Sequence, residues 1–231
     1  MIRRGVDVVI AASALVAASP LLAVAAIAIV LSSRGPVIYR QRRVGLDGAE
    51  FDVLKLRTMV VGAEHIGAGL WVDAGDARIT RVGALLRRTS LDELPNLVNV
   101  LRGEMSLIGP RPTVPEQVAV YTERQRGRLA IRPGITGWAQ VNGRAALPWG
   151  QRIELDLDYI ERRSLWLDLQ IVARTARMLL GGGDLYRGET GGWDLPHVPG
   201  YEAAGEVPPE SSPESSPESD PSAESKESPR Q

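Results

Sequence analysis

The sequence predicts a mainly helical protein with a little β-structure, attached to a membrane through its N-terminal segment. Three observations carry that expectation. Residues 8 to 31 are 24 consecutive positions without a charge, enough for a helix of roughly 36 Å, which suffices to span a bilayer. Helical periodicity returns at 82–103, 115–128 and 154–180. Only PVIYRQRRVG (36–45) and FDVLKLRTM (51–59) carry the short apolar alternations of strands or an extended connection.

The apolar run opens the chain and leaves its topology open. Arg3 and Arg4 precede it, while Arg34, Arg40, Arg42 and Arg43 lie after it, so the positive-inside tendency draws both ends to the cytoplasm. Pro20 lacks an N–H and crowds the carbonyl of Val16, and Ser19 can bond a freed backbone group in lipid. A kinked spanning helix and a helix-break-helix that enters and leaves on one face both fit. A cleaved signal peptide is a third reading, opposed by the length of the run and by the cytoplasmic character of the residues downstream of it.

Beyond the two strand-like stretches, 82–103 reads as helix around a break near Ser90, and 115–128 as a polar helix opening at Pro115. RPGITGWAQVNGR (132–144) is punctuated by glycine and proline and reads as loop. In 154–180, Trp166, Leu169, Val172 and Leu179 share one face, which suits either core packing or a helix lying in a membrane interface. Past residue 205 the repeated SSPES pattern has no apolar residues from which to build a core and reads as a disordered tail.

Composition narrows the chemistry. Cysteine is absent and only His65 and His197 are present, so disulfides, thiolate metal sites and histidine cages are excluded or disfavoured. The net charge of −1 hides two unlike parts: eight acids and two bases lie from Tyr201 onward, leaving 20 acids and 25 bases before it. A body at +5 suits work beside anionic lipid or on phosphates and falls far short of a nucleic-acid binder. Neither common glycine-rich phosphate cradle occurs, nor a serine elbow or HExxH.

The candidate chemistry centres on RRTSLDELPNL (87–97), where Asp92 and Glu93 adjoin in a basic setting. Locally, Ser90 with Glu93 three residues on spells a helix capping box. The alternative is a carboxylate that attacks phosphorus, with a second that holds magnesium. Phosphoryl chemistry also needs cations, and Lys55, Arg57, Arg87, Arg88, Arg111, Arg132 and Arg144 are candidates. GPRP (109–112) sets Arg111 between two prolines, which would fix its backbone.

As a set, KLRTM (55–59), DARITRVGALLRRTSLDELPNLVNVLRGEMSLIGPRP (76–112) and RPGITGWAQVNGR (132–144) resemble the bacterial sugar transferases, the monotopic phosphoglycosyl transferases, over about residues 1 to 190. The resemblance implies an enzyme that moves a phosphosugar from a UDP-sugar to polyprenol phosphate and releases UMP. It implies Asp92 as nucleophile, Glu93 as its partner and the pair as the Mg2+ ligands. Lys55, Arg57, Arg87, Arg111, Arg132 and Arg144 then fall to substrate phosphates. It also implies a re-entrant anchor bent at Ser19 and Pro20, and the minimal form of the family without added membrane helices. The resulting layout is an anchor at 1–34, a catalytic domain with interfacial amphipathic helices at 35–195, and a tail at 205–231. The implied location is the cytoplasmic face of a bacterial inner membrane, with downstream glycosyltransferases and a second copy as compatible partners. A membrane-anchored scaffold, or a transferase that passes the sugar alone and releases UDP, are the competing functions.

Overall fold

The computed structural model describes residues 2–66, 76–143 and 147–180; the tail at 205–231 and the end of the catalytic domain as drawn from sequence lie outside these. The first element is a single helix, α1 (Ile2–Ser32), of 31 residues, about 46 Å long. The expected break at Ser19 and Pro20 is not present, because the helix runs through both without interruption. The reason is local. Pro20 cannot donate to the carbonyl of Val16, and the hydroxyl of Ser19 donates to that same carbonyl at 2.8 Å, so the lost ladder bond has a substitute.

α1 is long and apolar enough to cross a membrane, yet it docks along its length on the rest of the protein. Near its N-terminus Arg4 donates to the carbonyls of Val100 and Leu101, Arg3 pairs with Asp168 at 3.1 Å, and Asp7 accepts from the Ser106 hydroxyl at 2.6 Å. Ala11 packs with Phe51, Leu97, Val100 and Met105. Further along, Ala25 and Ile29 pack with Leu56 and Leu86. At the C-terminus the guanidinium of Arg57 donates to the carbonyls of Ser33 and Arg34 at 2.7 and 2.9 Å. The outward positions, Val9, Val16, Val24 and Leu31 among them, are exposed.

The two strand-like stretches form an antiparallel hairpin, β1 (Ile38–Val44) and β2 (Glu50–Leu56). Its turn places both Asp47 and Gly48 at positive φ, as tight hairpins require. Tyr39 faces Lys55, Gln41 faces Val53 and Arg43 faces Phe51, so these six share the inner face, and Arg40 and Arg42 take the outer.

The helical stretch at 82–103 divides near Ser90 as expected, into α2 (Arg81–Arg88), a 3₁₀ turn at Leu91–Glu93, and α3 (Asn96–Arg102). β3 (Ser106–Ile108) comes next and pairs in parallel with β4 (Gly134–Thr136). The single helix expected at 115–128 is instead α4 (Pro115–Ala119) and α5 (Glu123–Arg126), since Thr122 builds a capping box with Gln125 and starts a new helix. After α6 (Trp138–Val141), the stretch at 154–180 likewise divides into α7 (Trp149–Arg162) and α8 (Leu165–Leu180). Ser164 caps α8 through the N–H of Leu167.

α8 settles which way its apolar stripe faces. Leu167 and Ile171 are buried against Tyr159, whereas Trp166, Leu169, Val172 and Leu179 are about half to two-thirds exposed, at 68, 57, 49 and 52%. The stripe points outward, as an interfacial helix requires and a core helix does not.

Candidate active site

The adjacent acids sit at the break between α2 and α3, and the local backbone rules out the capping box. Ser90 adopts a left-handed conformation with φ 57° and its hydroxyl caps nothing. Such a φ is rare and strained for a residue with a side chain. The Glu93 side chain, released from helix capping, instead meets Lys55 Nζ at 2.7 Å and Arg111 at 2.6 Å, both on Oε1.

These two cations arrive from separate elements, each held in place. Lys55 projects from the inner face of β2, and Asn99 on α3 pins that strand by accepting from the N–H of Leu54 and donating to the carbonyl of Asp52. Arg111 stands on the GPRP loop after β3, whose neighbours Gly109 and Gly134 approach so closely that a Cβ on Gly134 would lie 2.1 Å from the Gly109 nitrogen; only glycine allows that approach. Beneath the loop, Arg128 donates to the carbonyl of Arg111 at 3.1 Å and to the hydroxyl of Thr113 at 2.9 Å. Arg128 is in turn paired with buried Asp156 at 2.6 Å and lies against the rings of Tyr121 and Trp149.

The cleft so formed opens to solvent and is lined by Arg43, Lys55, Glu93, Asn96, Arg111 and Gly134, among others. Asn96 is buried on its wall, and among the described residues its Oδ1 has no hydrogen-bond donor.

The two carboxyls differ in state. Burial by itself would raise Glu93, but Arg111 and Lys55 overcome it and hold the group far below the usual carboxylate range. Asp92 is buried too, and there burial prevails over the opposing pull of Lys55, so its pKa is raised. Burial lowers that of Lys55, and Arg111 adds to the effect. Two neighbouring acids pushed in opposite directions is a pattern found where a site divides roles between them.

Of the residues expected at the site, Asp92, Glu93, Lys55 and Arg111 come together. Arg87 donates to the Thr58 hydroxyl at 2.7 Å and lies near enough to Asp92 to favour its charged form. Of the remaining three, two are elsewhere. Arg57 caps the end of α1, Arg132 donates to the carbonyl of Gly103 at 2.7 Å, and Arg144 is outside the described residues. Sequence reasoning missed Arg43, Asn96, Arg128 and Asp156. Arg43 had a readable signal, the strand alternation that turns it inward while Arg42 pairs outward with Asp52; Arg128 had none, its partner being 28 residues away.

Among the described residues no group of three or more acidic or histidine side chains converges. A magnesium ion rarely needs one: it takes one or two carboxylates and completes its shell with substrate phosphates and water. Asp92 and Glu93, adjacent in one 3₁₀ turn, offer the hard carboxylate oxygens that such an ion prefers.

A mainly helical domain whose cleft sets Glu93 among lysine and arginine, with Asp92 next to it in the chain, suits phosphorylated ligands. Residues 1–182 match the family model described as bacterial sugar transferase, and the chain belongs to that family. It is 46% identical over 192 residues to a UDP-glucose:undecaprenyl-phosphate glucose-1-phosphate transferase of Caulobacter vibrioides, covering 80% of this chain and 72% of that one. To the protein of the same name from Escherichia coli it is 43% identical over 183 residues, 76% of this chain and 39% of the other. A UDP-N-acetylgalactosamine-undecaprenyl-phosphate N-acetylgalactosaminephosphotransferase of Aeromonas hydrophila is 44% identical over 187 residues, 78% and 44%. The chain thus spans less than half the length of two of these three relatives.

Proposed function

We propose that this chain transfers a sugar phosphate from a UDP-sugar to a polyprenol phosphate, undecaprenyl phosphate in the relatives' names, with release of UMP. The observation that carries the reading is the split pair: Glu93 locked as a carboxylate by Lys55 and Arg111, and beside it Asp92, buried and with no side-chain hydrogen bond among the described residues. An oxygen of Asp92 attacks the β-phosphorus of the donor, and the bond to the bridging oxygen breaks with its electron pair leaving on UMP. An oxygen of the lipid phosphate then attacks the same phosphorus, and the bond to Asp92 breaks, restoring the carboxylate. Lys55, Arg87 and Arg111 hold the phosphates in line and offset the charge that develops on them.

A magnesium ion held by Asp92 and Glu93 would supply further neutralisation of phosphate charge. The relatives' names divide between glucose and an N-acetylated sugar, and either product would serve as the first lipid-linked sugar of glycan assembly.

The same reading includes an anchor whose two ends lie on one face of the membrane, the cytoplasmic one. A spanning helix carries its ends to opposite sides of about 30 Å of hydrocarbon, whereas Arg3, Arg4 and Asp7 at one end of α1 and the carbonyls of Ser33 and Arg34 at the other bond the same domain. The outward apolar stripe of α8, tied to α1 through Asp168 and Arg3, would lie in the same interface.

Incubation with labelled UDP-glucose or UDP-N-acetylgalactosamine and no acceptor tests the chemistry. Label bound through Asp92 and one equivalent of UMP are expected; turnover that persists in Asp92→Asn would refute it. The cysteine-free chain makes topology accessible: Ile2→Cys and Gly48→Cys should both be shielded from an impermeant maleimide added outside, and labelling of Ile2→Cys alone would refute the one-face anchor.

A further inference from the structure

The guanidinium of Arg43 is the least compensated charge in the cleft. It enters from the inner face of β1, and its hydrogen bonds go to neutral acceptors, the Gln41 amide oxygen at 2.6 Å and the Pro112 carbonyl at 3.4 Å. Its neighbour Arg42, on the outer face, pairs with both Asp52 and Glu50 at 3.1 and 3.6 Å. Among the described residues no carboxylate comes within ion-pair distance of Arg43, while Glu93 is already shared between Lys55 and Arg111. Arg43 is only half-buried, and even partial burial of a guanidinium without a carboxylate partner is costly. Here the cost is visible: burial and then the like charge of Arg111 bring its pKa down to about 10.

The cleft therefore holds three inward cations, Arg43, Lys55 and Arg111, around one locked carboxylate, Glu93. An anion with several oxygens satisfies that arrangement. A lone counter-carboxylate does not, since the planar fork of Arg43 and the fork of Arg111 approach from different strands and loops and can grip one tetrahedral group from two sides.

We propose that Arg43 is a phosphate-binding residue of this cleft, acting with Arg111 on a phosphate of the substrate. The proposal rests on the transferase reading only for the identity of that substrate; the cationic lining by itself favours a multiply charged oxyanion. The phosphate belongs either to the nucleotide sugar or to the polyprenol lipid, and the two are chemically alike at the contact.

The test uses the full chain in detergent micelles and begins with binding alone. Inorganic pyrophosphate should raise the thermal midpoint of the wild-type protein and of Arg42→Gln, the outer-face control, and should raise that of Arg43→Gln and Arg43→Lys far less. An unchanged pyrophosphate response in both Arg43 variants overturns the proposal. Kinetics then assign the source. In Arg43→Lys, a KM raised about tenfold for the UDP-sugar with that for undecaprenyl phosphate unchanged places the contact on the donor; the reverse places it on the lipid. Both constants at wild-type values overturn it. Should wild type release no UMP at all, the transferase reading fails while the pyrophosphate arm still decides the role of Arg43.

Discussion

Replacing Arg128 by methionine isolates what lies beneath the GPRP loop. Methionine roughly keeps the length of the side chain and removes its charge, which leaves Asp156 buried, 1% exposed, with its cation gone. Removing one partner of a buried pair costs about 3–5 kcal/mol. For a domain of this size a kilocalorie moves the thermal midpoint by about 2–4 °C, so a fall of about 6–20 °C is expected. Trp149, whose ring is 5.3 Å from the Arg128 guanidinium, is a built-in fluorescent reporter for the measurement. Arg128→Met with Asp156→Leu should recover much of the stability, because the stranded charge is then gone too. It should not recover UMP release, because the carbonyl of Arg111 still lacks the guanidinium that holds it and keeps only the longer 3.4 Å bond from the Thr113 hydroxyl. A midpoint within about 2 °C of wild type for the single variant, or full activity in the double one, would refute the role assigned to this pair.

Two more outcomes are expected at the site and its border. Asp92 has a folded pKa raised by burial, so the stability linked to its neutral form is fully present below the unfolded value near 4 and is lost as pH rises through the folded one; Asp92→Asn measured in EDTA should therefore melt higher than wild type at pH 7.5 and about equally at pH 4, and a lower midpoint at pH 7.5 would contradict this. Arg57→Gln should cost about 3 kcal/mol in unfolding by stripping charged donors from the carbonyls at the end of α1, with the KM for UDP-sugar within about twofold of wild type; a KM raised tenfold at unchanged stability would return Arg57 to the phosphates.

Much of this molecule is legible in its residues, and the illegible parts have identifiable causes. The helix break near Ser90 and the outward apolar stripe of α8 arise from patterns within a few residues. The capping-box reading of Ser90 and Glu93 fails because tertiary partners, Lys55 from 38 residues upstream and Arg111 from 18 downstream, outcompete a local hydrogen bond. The expected interruption at Pro20 fails for the opposite reason: a neighbour one residue away, Ser19, repairs the helix at the carbonyl where proline damages it. Helices at 115–128 and 154–180 divide at Thr122 and Ser164, caps that are visible in the sequence but masked there by longer periodicity. Arg57 and Arg132 carry motif positions yet direct their donors to main-chain carbonyls, a distinction that residue type alone does not encode.

The seating of α1 has a consequence for how the protein comes to exist. Ala11 completes the packing around Val100 and Met105, and Ile29 that around Leu56 and Leu86; neither cluster closes until the helix is in position. The helix and the domain it completes are therefore one cooperative unit, and on the anchor reading proposed above lipid would be the solvent for the helix's exposed apolar side. A copy stranded away from the bilayer would lack walls to its own interior, and the cleft behind the β2 strand would slacken with them. On that reading location becomes a condition of competence, enforced by packing.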